Sequence, residues 1–257
     1  MKDTFRQISV ILTVLATIIV NILANALPLN GLNTGEISDR FKVYFVPAGY
    51  VFSIWGIIYI GLIAYAIYQA LPSQRQNLRL RATGWWVSLS GLANIAWIFL
   101  WHYEQFPLTL IAMFVILASL IITYLRLGIG RTLVTTAEKW SVRLPFSVYL
   151  GWITVATVAN VTSVLDYLNW DGFGIAPEIW MGIVLVAVLA ISVLMNFTRR
   201  DVAFALVILW ALAGIAIKHA AVASVAIPTW IIFGLVALTL AAAFFLRRPG
   251  LKPASAD

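Results

Sequence analysis

Tryptophans that stand at helical spacing from asparagine or tyrosine are the residues of this chain best suited to chemistry. They are the pair Trp55 and Tyr59, the pair Asn94 and Trp97, and the group Tyr149, Trp152 and Asn160. Indole, phenol and amide groups form hydrogen bonds beside an apolar ring or chain. Because hydrocarbon offers such groups no partner, at membrane depth they face another helix or a pocket. The pattern therefore places the functional site inside a membrane.

Reactive side chains at catalytic or metal-binding spacing are missing from the sequence. The chain has two histidines, His102 and His219, and no cysteine, which excludes disulfides, thiolate chemistry and Cys-ligated metals. It contains no HExxH, GxSxG or P-loop pattern. No Asp, Glu or Arg lies near the centre of a predicted span, where ion-coupled transporters carry such groups. The sequence thus favours binding over catalysis and indicates no metal and no fixed cofactor.

The elements that must position these side chains are membrane helices. The chain is 62% apolar and 11% charged, against about 45–50% and 25% in soluble proteins. A helix needs about 20 apolar residues to cross a bilayer, and we predict an all-α membrane protein of about eight transmembrane helices. These cover residues 8–28, 48–71, 84–101, 107–126, 145–166, 179–197, 202–218 and 227–246.

The loop charges predict the topology of these helices. Cytoplasmic loops are enriched in Lys and Arg. If the N-terminus is cytoplasmic, only Arg40, Lys42 and Lys218 of the 17 basic residues fall outside. Eight helices then place the C-terminus in the cytoplasm as well. The net charge of +7 follows from this topology and from contact with membrane lipids, so no nucleic-acid partner is indicated.

The first apolar segment resembles a secretory signal in part. Lys2 and Arg6 precede it, and 24–26 (Ala-Asn-Ala) resembles a cleavage site. Its apolar run is nevertheless longer than the usual signal core of about 7–15 residues. Asn21 and Asn25 lie on one helical face and suit hydrogen bonding to other helices. We therefore expect this helix to be retained.

The rise of a helix places the candidate side chains at similar depths. At about 1.5 Å per residue, Trp55 lies about 12 Å below Pro47, and Asn160 lies about 9 Å below the outer end of its helix. If the second, third and fifth predicted helices pack together, these side chains line an aromatic cavity in the outer half of the bilayer. The connection 29–46 either extends into solvent or folds over this cavity as a lid.

Simpler roles exist for the same residue types. Asn94, Thr154, Thr157 and Asn160 are the deep polar residues, and each also suits plain hydrogen bonding between helices. Trp210 lies deep without a polar residue near it in sequence. The tryptophans expected at the membrane interfaces are Trp85, Trp86, Trp101, Trp140, Trp170, Trp180 and Trp230.

Three segments resemble, in order and spacing, motifs of the tryptophan-rich sensory protein or translocator protein (TspO/MBR) family. They are FVPAGYVFSIWGIIY (45–59), LANIAWIF (92–99) and VYLGWITVATVAN (148–160). In that family a proline precedes a tryptophan by eight residues and a tyrosine follows it by four. Pro47, Trp55 and Tyr59 match this spacing.

The sequence also departs from the family pattern. Val46 and Val148 stand where the family has proline, and Phe52 lies one residue later than the usual phenylalanine. The Trp-Tyr and Lys-Pro signature of the family's first loop is missing from 29–46. These departures leave the identity of the ligand open.

The resemblance implies a receptor in a multi-pass membrane fold, which we expect in the bacterial plasma (inner) membrane. It covers 1–166, a TspO-like five-helix domain, so 167–247 is a three-helix extension and 248–257 a polar tail. The family's members are often homodimers and bind porphyrins, such as haem or protoporphyrin IX, as reversible ligands. The ligand-binding residues it implies are Pro47, Trp55, Tyr59, Asn94, Trp97, Tyr149, Trp152 and Asn160.

Two other functions stay open at the level of sequence. In a transporter of apolar small molecules, the last three helices would complete a translocation path. An intramembrane enzyme acting on a pigment or lipid is the less favoured alternative, because the sequence shows no acid/base pair.

Overall fold

The computed structural model describes residues 2–27 and 29–245, and the regular elements of these residues are helices. Short 3₁₀ turns lie at Leu29–Gly31, Gly49–Ser53, Pro72–Gln74 and Gly172–Gly174, and a π-helical turn lies at Lys139–Arg143. The α-helices are α1 (Lys2–Ala26), α2 (Thr34–Asp39), α3 (Ile54–Ala70), α4 (Leu78–His102), α5 (Phe106–Arg126), α6 (Thr136–Glu138), α7 (Leu144–Tyr167), α8 (Pro177–Thr198), α9 (Val202–Lys218) and α10 (Ala223–Phe245).

Seven segments of the described residues are long and apolar enough to cross a membrane. The eighth predicted span, α9, has the predicted bounds but only 17 residues, at the short limit for a spanning helix. The all-α fold class is thus confirmed, with seven full-length candidates where eight were predicted. The seven are Lys2–Ala26, Gly49–Ala70, Leu78–His102, Phe106–Arg126, Thr136–Tyr167, Pro177–Thr198 and Ala223–Phe245.

Several helices extend beyond the apolar residues that predicted them. α4 begins at Leu78 instead of 84 because the side chain of Asn77 accepts hydrogen bonds from the backbone N–H groups of Arg79 and Leu80, at 3.1 and 3.4 Å. Such a cap satisfies donors that the first turn of a helix leaves unpaired. Charged residues therefore lie on the ends of the helices and not only in the loops.

Five long helices form a closed ring. α1 packs on α3 and α4, α7 packs on α3 and α5, and α4 packs on α5. Tyr149 and Trp152 of α7 are buried inside this ring. α3 and α7 approach closely at Gly61, where an added Cβ would lie 3.0 Å from the Pro145 side chain. The ring therefore holds the three sequence motifs around one interior.

The last three helices pack against the ring through α9. α8, α9 and α10 contact each other, and α9 also contacts α7 and the 3₁₀ turn at Gly49–Ser53. Trp210 Nε1 donates a hydrogen bond of 3.1 Å to the carbonyl oxygen of Val51, so this tryptophan has the polar partner that the sequence did not indicate. The division at residue 166 stays a prediction, and the predicted tail 248–257 lies outside the described residues.

Buried charges stabilise the end of the bundle opposite α2. Glu138 accepts hydrogen bonds from Arg79 Nε and Nη2 at 2.8 and 2.7 Å. The carboxylate of Asp201, which precedes α9, accepts hydrogen bonds from the Tyr124 hydroxyl at 2.8 Å and the Ser147 hydroxyl at 2.6 Å. Burial of a carboxylate requires such partners, and here they join α5, α7 and α9.

Candidate functional site

A small cavity lies beneath α2, between α4, α7 and the chain that enters α3. Its volume is about 50 Å³, whereas pockets that hold small molecules measure about 300–1,000 Å³. In this conformation the cavity therefore has room for about one or two water molecules. Its lining residues are Thr34, Ser38, Pro47, Phe52, Trp97, Trp101, Trp152, Val155, Ala156, Ala159, Asn160 and Ser163.

The eight predicted ligand-binding residues divide between this cavity and a second layer. Those that line the cavity are Pro47, Trp97, Trp152 and Asn160. The others do not line it and instead contact one another or the cavity residues. They are Trp55, Tyr59, Asn94 and Tyr149. A ligand-binding role for all eight stays a prediction.

Trp97 and Asn160 form one polar wall of the cavity. Trp97 Nε1 donates a hydrogen bond of 3.0 Å to Asn160 Oδ1, and Asn160 Nδ2 donates one of 2.8 Å to the Thr109 hydroxyl. The ring of Trp97 stacks on Trp101 with centroids 5.1 Å apart and planes 17° apart. The amide of Asn160 thus joins α4, α5 and α7, and the stacked rings of Trp97 and Trp101 both line the cavity.

Trp152 supplies a hydrogen-bond donor without a partner. Its side chain is 2% exposed, and Nε1 is buried with no hydrogen-bond acceptor among the described residues. The ring meets Phe52 edge to face at 5.6 Å and Trp55 at 6.4 Å. A buried unpaired donor costs about 1–3 kcal/mol. An acceptor on a bound molecule would remove that cost.

The second layer combines ring stacking with hydrogen bonds between helices. Trp55 stacks on Tyr59 at 5.6 Å and meets Tyr149 edge to face at 5.9 Å. Asn94 accepts a hydrogen bond of 2.7 Å from Asn21 Nδ2 and donates one of 3.4 Å to the Tyr149 hydroxyl. Asn94 therefore joins α1, α4 and α7, which is the simpler role considered for it.

The connection 29–46 folds over the cavity as a lid. Its helix α2 begins with a capping box, in which Asn33 Oδ1 accepts from Glu36 N at 2.9 Å and Glu36 Oε2 accepts from Asn33 N at 2.8 Å. Thr34 and Ser38 of α2 line the cavity, and Ile37 is buried. Of the two alternatives for this segment, extension into solvent or folding over the cavity, the structure has the second.

The inner side of the lid covers the end of α4. Trp101 Nε1 donates a hydrogen bond of 3.2 Å to the carbonyl oxygen of Thr34. The His102 ring nitrogens lie 3.0 Å from the Leu29 carbonyl oxygen and 3.1 Å from the Thr34 hydroxyl. Trp101 is 3% exposed and His102 is 1% exposed. The prediction that Trp101 is an interfacial tryptophan was therefore wrong, because the folded lid buries it, together with His102 at the end of α4.

The outer side of the lid is held by exposed polar contacts. Their partners lie at the ends of α4, α7, α8 and α9. Exposed ion pairs contribute about 0–1 kcal/mol each, so these contacts hold the lid only weakly. They are Arg40 with Glu104, Lys218 Nζ with Asp39 Oδ1 at 2.7 Å, Lys42 N with Asp166 Oδ2 at 3.2 Å, and the Tyr44 hydroxyl with Glu178 Oε1 at 2.8 Å.

Two groups at this edge have shifted pKa values. The hydrogen bond to the Glu178 carboxylate raises the pKa of the Tyr44 hydroxyl above 10. Burial and the neighbouring Lys218 ammonium lower the pKa of His219 below 6.5, against an opposing contribution from the Tyr44 backbone. The His219 ring meets the Tyr44 ring edge to face at 5.4 Å. The folded protein therefore favours a neutral imidazole beside the lid.

A comparison with known protein families shows the family to which the chain belongs. The sequence profile of a family described as TSPO-like protein matches residues 7–244. The chain belongs to the TSPO-like family. The match includes α8, α9 and α10 of this TSPO-like protein, and it agrees with the resemblance noted in the sequence. No curated protein and no solved structure matches the chain. Family and helices together identify an integral, multi-pass membrane protein.

Sequence reasoning missed several cavity residues of this TSPO-like protein. Ala156, Ala159 and Ser163 lie on the face of α7 that also carries Trp152 and Asn160. That spacing of three, four and eight residues was a usable signal. The cavity residues contributed by the lid, Thr34 and Ser38, had no such signal, because their position depends on how the connection folds.

Proposed function

We propose that this TSPO-like protein binds a flat, apolar ring ligand of the porphyrin class, such as haem or protoporphyrin IX, reversibly in the cavity beneath α2. The observation that carries the proposal is Trp152. Its ring lines the cavity while its Nε1 donor is buried without an acceptor. A carbonyl or carboxylate on the ligand edge would accept this hydrogen bond, and such a donor is costly to bury for packing alone.

The walls of the cavity support a flat ligand. Trp97 and Trp101 are stacked nearly parallel, and aromatic faces bind other flat rings by offset stacking. Ala156 and Ala159 of α7 also line the cavity, and their side chains are small. Since a porphyrin is far larger than the volume of about 50 Å³, the lid must move for the ligand to enter. Its weak exposed contacts are suited to that movement.

Ring recognition accounts for the ligand better than ligation of an iron atom does. Both ring nitrogens of His102 are within hydrogen-bond distance of lid groups, and the described residues hold no cluster of three or more potential metal ligands. We therefore expect haem and protoporphyrin IX to bind with similar affinity. A metal-dependent difference of more than about tenfold would argue against stacking as the main contribution.

The orientation in the membrane is also part of the proposal. We place the lid outside and both chain termini in the cytoplasm of a bacterial cell, in its inner membrane. The basic residues near Arg79, Arg126, Arg131 and Arg199 lie at the end opposite the lid, and such residues are enriched on the cytoplasmic side.

Titration of the purified protein with protoporphyrin IX tests the proposal. We expect saturable quenching of tryptophan fluorescence and a shift of the porphyrin absorbance band. Trp152→Phe should weaken binding about tenfold, the equivalent of a lost hydrogen bond of about 1.4 kcal/mol. The control is Trp230→Phe on α10, because Trp230 is exposed and lies outside the cavity. Equal affinities of the two variants would contradict the proposal.

A further inference from the structure

A larger open groove lies at the other end of the bundle. It has a volume of about 290 Å³ and lies between the first turns of α1 and α4. It is independent of the lid and its cavity, because both helices begin at the end opposite α2. Its lining residues are Lys2, Asp3, Phe5, Arg6, Arg81 and Trp85.

The groove has an excess of positive charge. Arg81 forms two hydrogen bonds with the Asp3 carboxylate, at 2.8 and 2.6 Å, and these two charges compensate each other. Lys2 and Arg6 add two further positive charges, and Asp3 is the one acidic residue of the lining, 4.0 Å from Arg6 Nε. Lys2 has no hydrogen bond or ion pair to other described residues. The groove is therefore suited to an anion.

Arg6 is a fixed part of this groove. Its side chain is 3% exposed, and its Nη1 and Nη2 donate to the carbonyl oxygens of Leu80 at 2.9 Å and Arg75 at 3.2 Å. Its Nε is buried without a hydrogen-bond acceptor, since the nearest Asp3 oxygen is 4.0 Å away. A Cβ on Gly84 would lie 2.8 Å from Arg6 Cγ. The glycine thus makes room for the arginine on α4.

Apolar rings adjoin the cations. Phe5 is 63% exposed and Trp85 is 50% exposed, and their rings are 5.7 Å apart. Both lie within segments apolar enough to cross a membrane, Phe5 about one turn from the start of α1 at Lys2 and Trp85 about two turns from the start of α4 at Leu78. This depth corresponds to the boundary between lipid headgroups and acyl chains, where tryptophan is enriched.

We propose that this groove binds the phosphate headgroup of an anionic phospholipid, with its acyl chains along Phe5 and Trp85. Phosphate oxygens accept hydrogen bonds from ammonium groups, which matches Lys2, and the fixed positive charge of Arg6 beside it adds to the attraction. A soluble phosphate would meet the cations alone. A phospholipid also covers the exposed rings, and basic groups near an anionic membrane contribute about 1 kcal/mol each.

Lipid retention on the full-length protein tests this assignment. The protein is released from mixed vesicles of phosphatidylglycerol and phosphatidylcholine, and the lipids that remain bound are counted by native mass spectrometry. We expect phosphatidylglycerol to be enriched over phosphatidylcholine. Lys2→Gln should reduce this enrichment about fivefold, the effect of one charge at a membrane surface.

Matched variants separate the groove from general attraction to basic residues. Lys139→Gln removes one positive charge at the same end of the bundle, from an exposed side chain outside the groove, and should leave the enrichment unchanged. Trp85→Ala should reduce it without altering charge. Neither Lys2→Gln nor Trp85→Ala should alter the affinity for protoporphyrin IX. The lipid experiment can therefore fail while porphyrin binding in the cavity is unaffected, and the reverse.

Three results would overturn the inference. Equal retention of the two lipids by the wild-type protein would exclude an anionic headgroup site. An equal loss of phosphatidylglycerol enrichment in the Lys2→Gln and Lys139→Gln variants would show that the basic surface as a whole attracts the lipid. Thermal stabilisation by inorganic phosphate, at the same level in wild type and in Trp85→Ala and without lipid enrichment, would assign the groove to a soluble anion.

Discussion

Trp97 Nε1 and Asn160 Oδ1 are joined by a hydrogen bond of 3.0 Å, although 63 residues separate them in the chain. The bond crosses the upper part of the helical ring, from α4 to α7, directly at the cavity wall. Asn160 continues the contact to Thr109 on α5 at 2.8 Å. One amide thus fixes three helices around the proposed binding site.

Asn160→Leu should therefore destabilise the protein. The substitution leaves Trp97 Nε1 buried without its acceptor, which costs about 1–3 kcal/mol. We expect a lower midpoint of thermal unfolding in detergent. Gln76→Leu is the control, because Gln76 lies in the exposed turn before α4. This substitution also removes an amide, but it leaves no buried group without a hydrogen-bond partner. Equal midpoints for the two variants would show that the bond contributes little.

Gly214→Ala should disturb the contact between α9 and the chain that enters α3. An added Cβ would lie 2.2 Å from Val51 Cγ2, so the Val51 side chain or one of the two segments must move. Overpacking of this kind costs about 1–3 kcal/mol. Gly234→Ala on α10 is the matched control, because no atom lies within 4 Å of its added Cβ and alanine favours a helix. We expect unfolding midpoints to fall for the first variant and to stay level or rise for the second.

Removal of a lid contact should accelerate exchange of the ligand. Lys218→Ala breaks the ion pair with Asp39, which is partly exposed and contributes about 0–1 kcal/mol. We expect protoporphyrin IX to dissociate up to about fivefold faster in stopped-flow measurements. Lys42→Ala removes the same type of charge from the lid, but only the backbone of Lys42 bonds to a neighbour. If both variants released protoporphyrin IX equally fast, the cause would be the loss of a positive charge and not the loss of the ion pair between Lys218 and Asp39.

Acid should loosen the lid at His219. The pKa of this residue is lowered below 6.5 by burial and by Lys218, so the unfolded form binds a proton more readily than the folded form. The contact with Tyr44 is then complete above about pH 6.5 and weakens as the pH falls below that value. Hydrogen exchange of the lid segment 34–45 measures this opening.

A His219→Phe variant serves as the reference for that experiment. It keeps a ring against Tyr44 and removes the titrating group, while Lys218, Asp39 and Glu178 stay in place around the lid. Comparison at the same pH cancels the intrinsic pH dependence of exchange. We expect the ratio of the wild-type exchange rate to the variant exchange rate to be higher at pH 5.5 than at pH 7.5. A constant ratio across that range would exclude His219 as the titrating group.

Local patterns in the sequence predicted a large part of the arrangement. The length of uncharged segments predicted the helices, since hydrocarbon excludes charge over a fixed thickness. The helical rise predicted that Asn160 and Trp97 share a depth, and they are in contact. The spacing of Asn21 and Asn25 predicted contacts between helices, and Asn21 bonds to Asn94.

Other contacts depend on how distant segments fold and had no local pattern. Trp101 has the position of an interfacial residue in sequence, and only the lid makes it part of the cavity. Trp210 finds its acceptor at Val51, 159 residues away. Asp201 has the sequence position of a loop residue, yet it is buried against Tyr124 and Ser147. Such pairings follow from helix packing, which periodicity alone does not specify.

Two of the contacts that hold the lid come from helices beyond the ring. Lys218 ends α9 and Glu178 lies in the first turn of α8, while the cavity itself is lined by residues from 34 to 163. The lid is consequently held in part by two helices, α8 and α9, that contribute no residue to the lining of the cavity. Any event that shifts α8 or α9, such as the docking of another protein on their lipid-facing sides, is mechanically coupled to how easily the pocket opens.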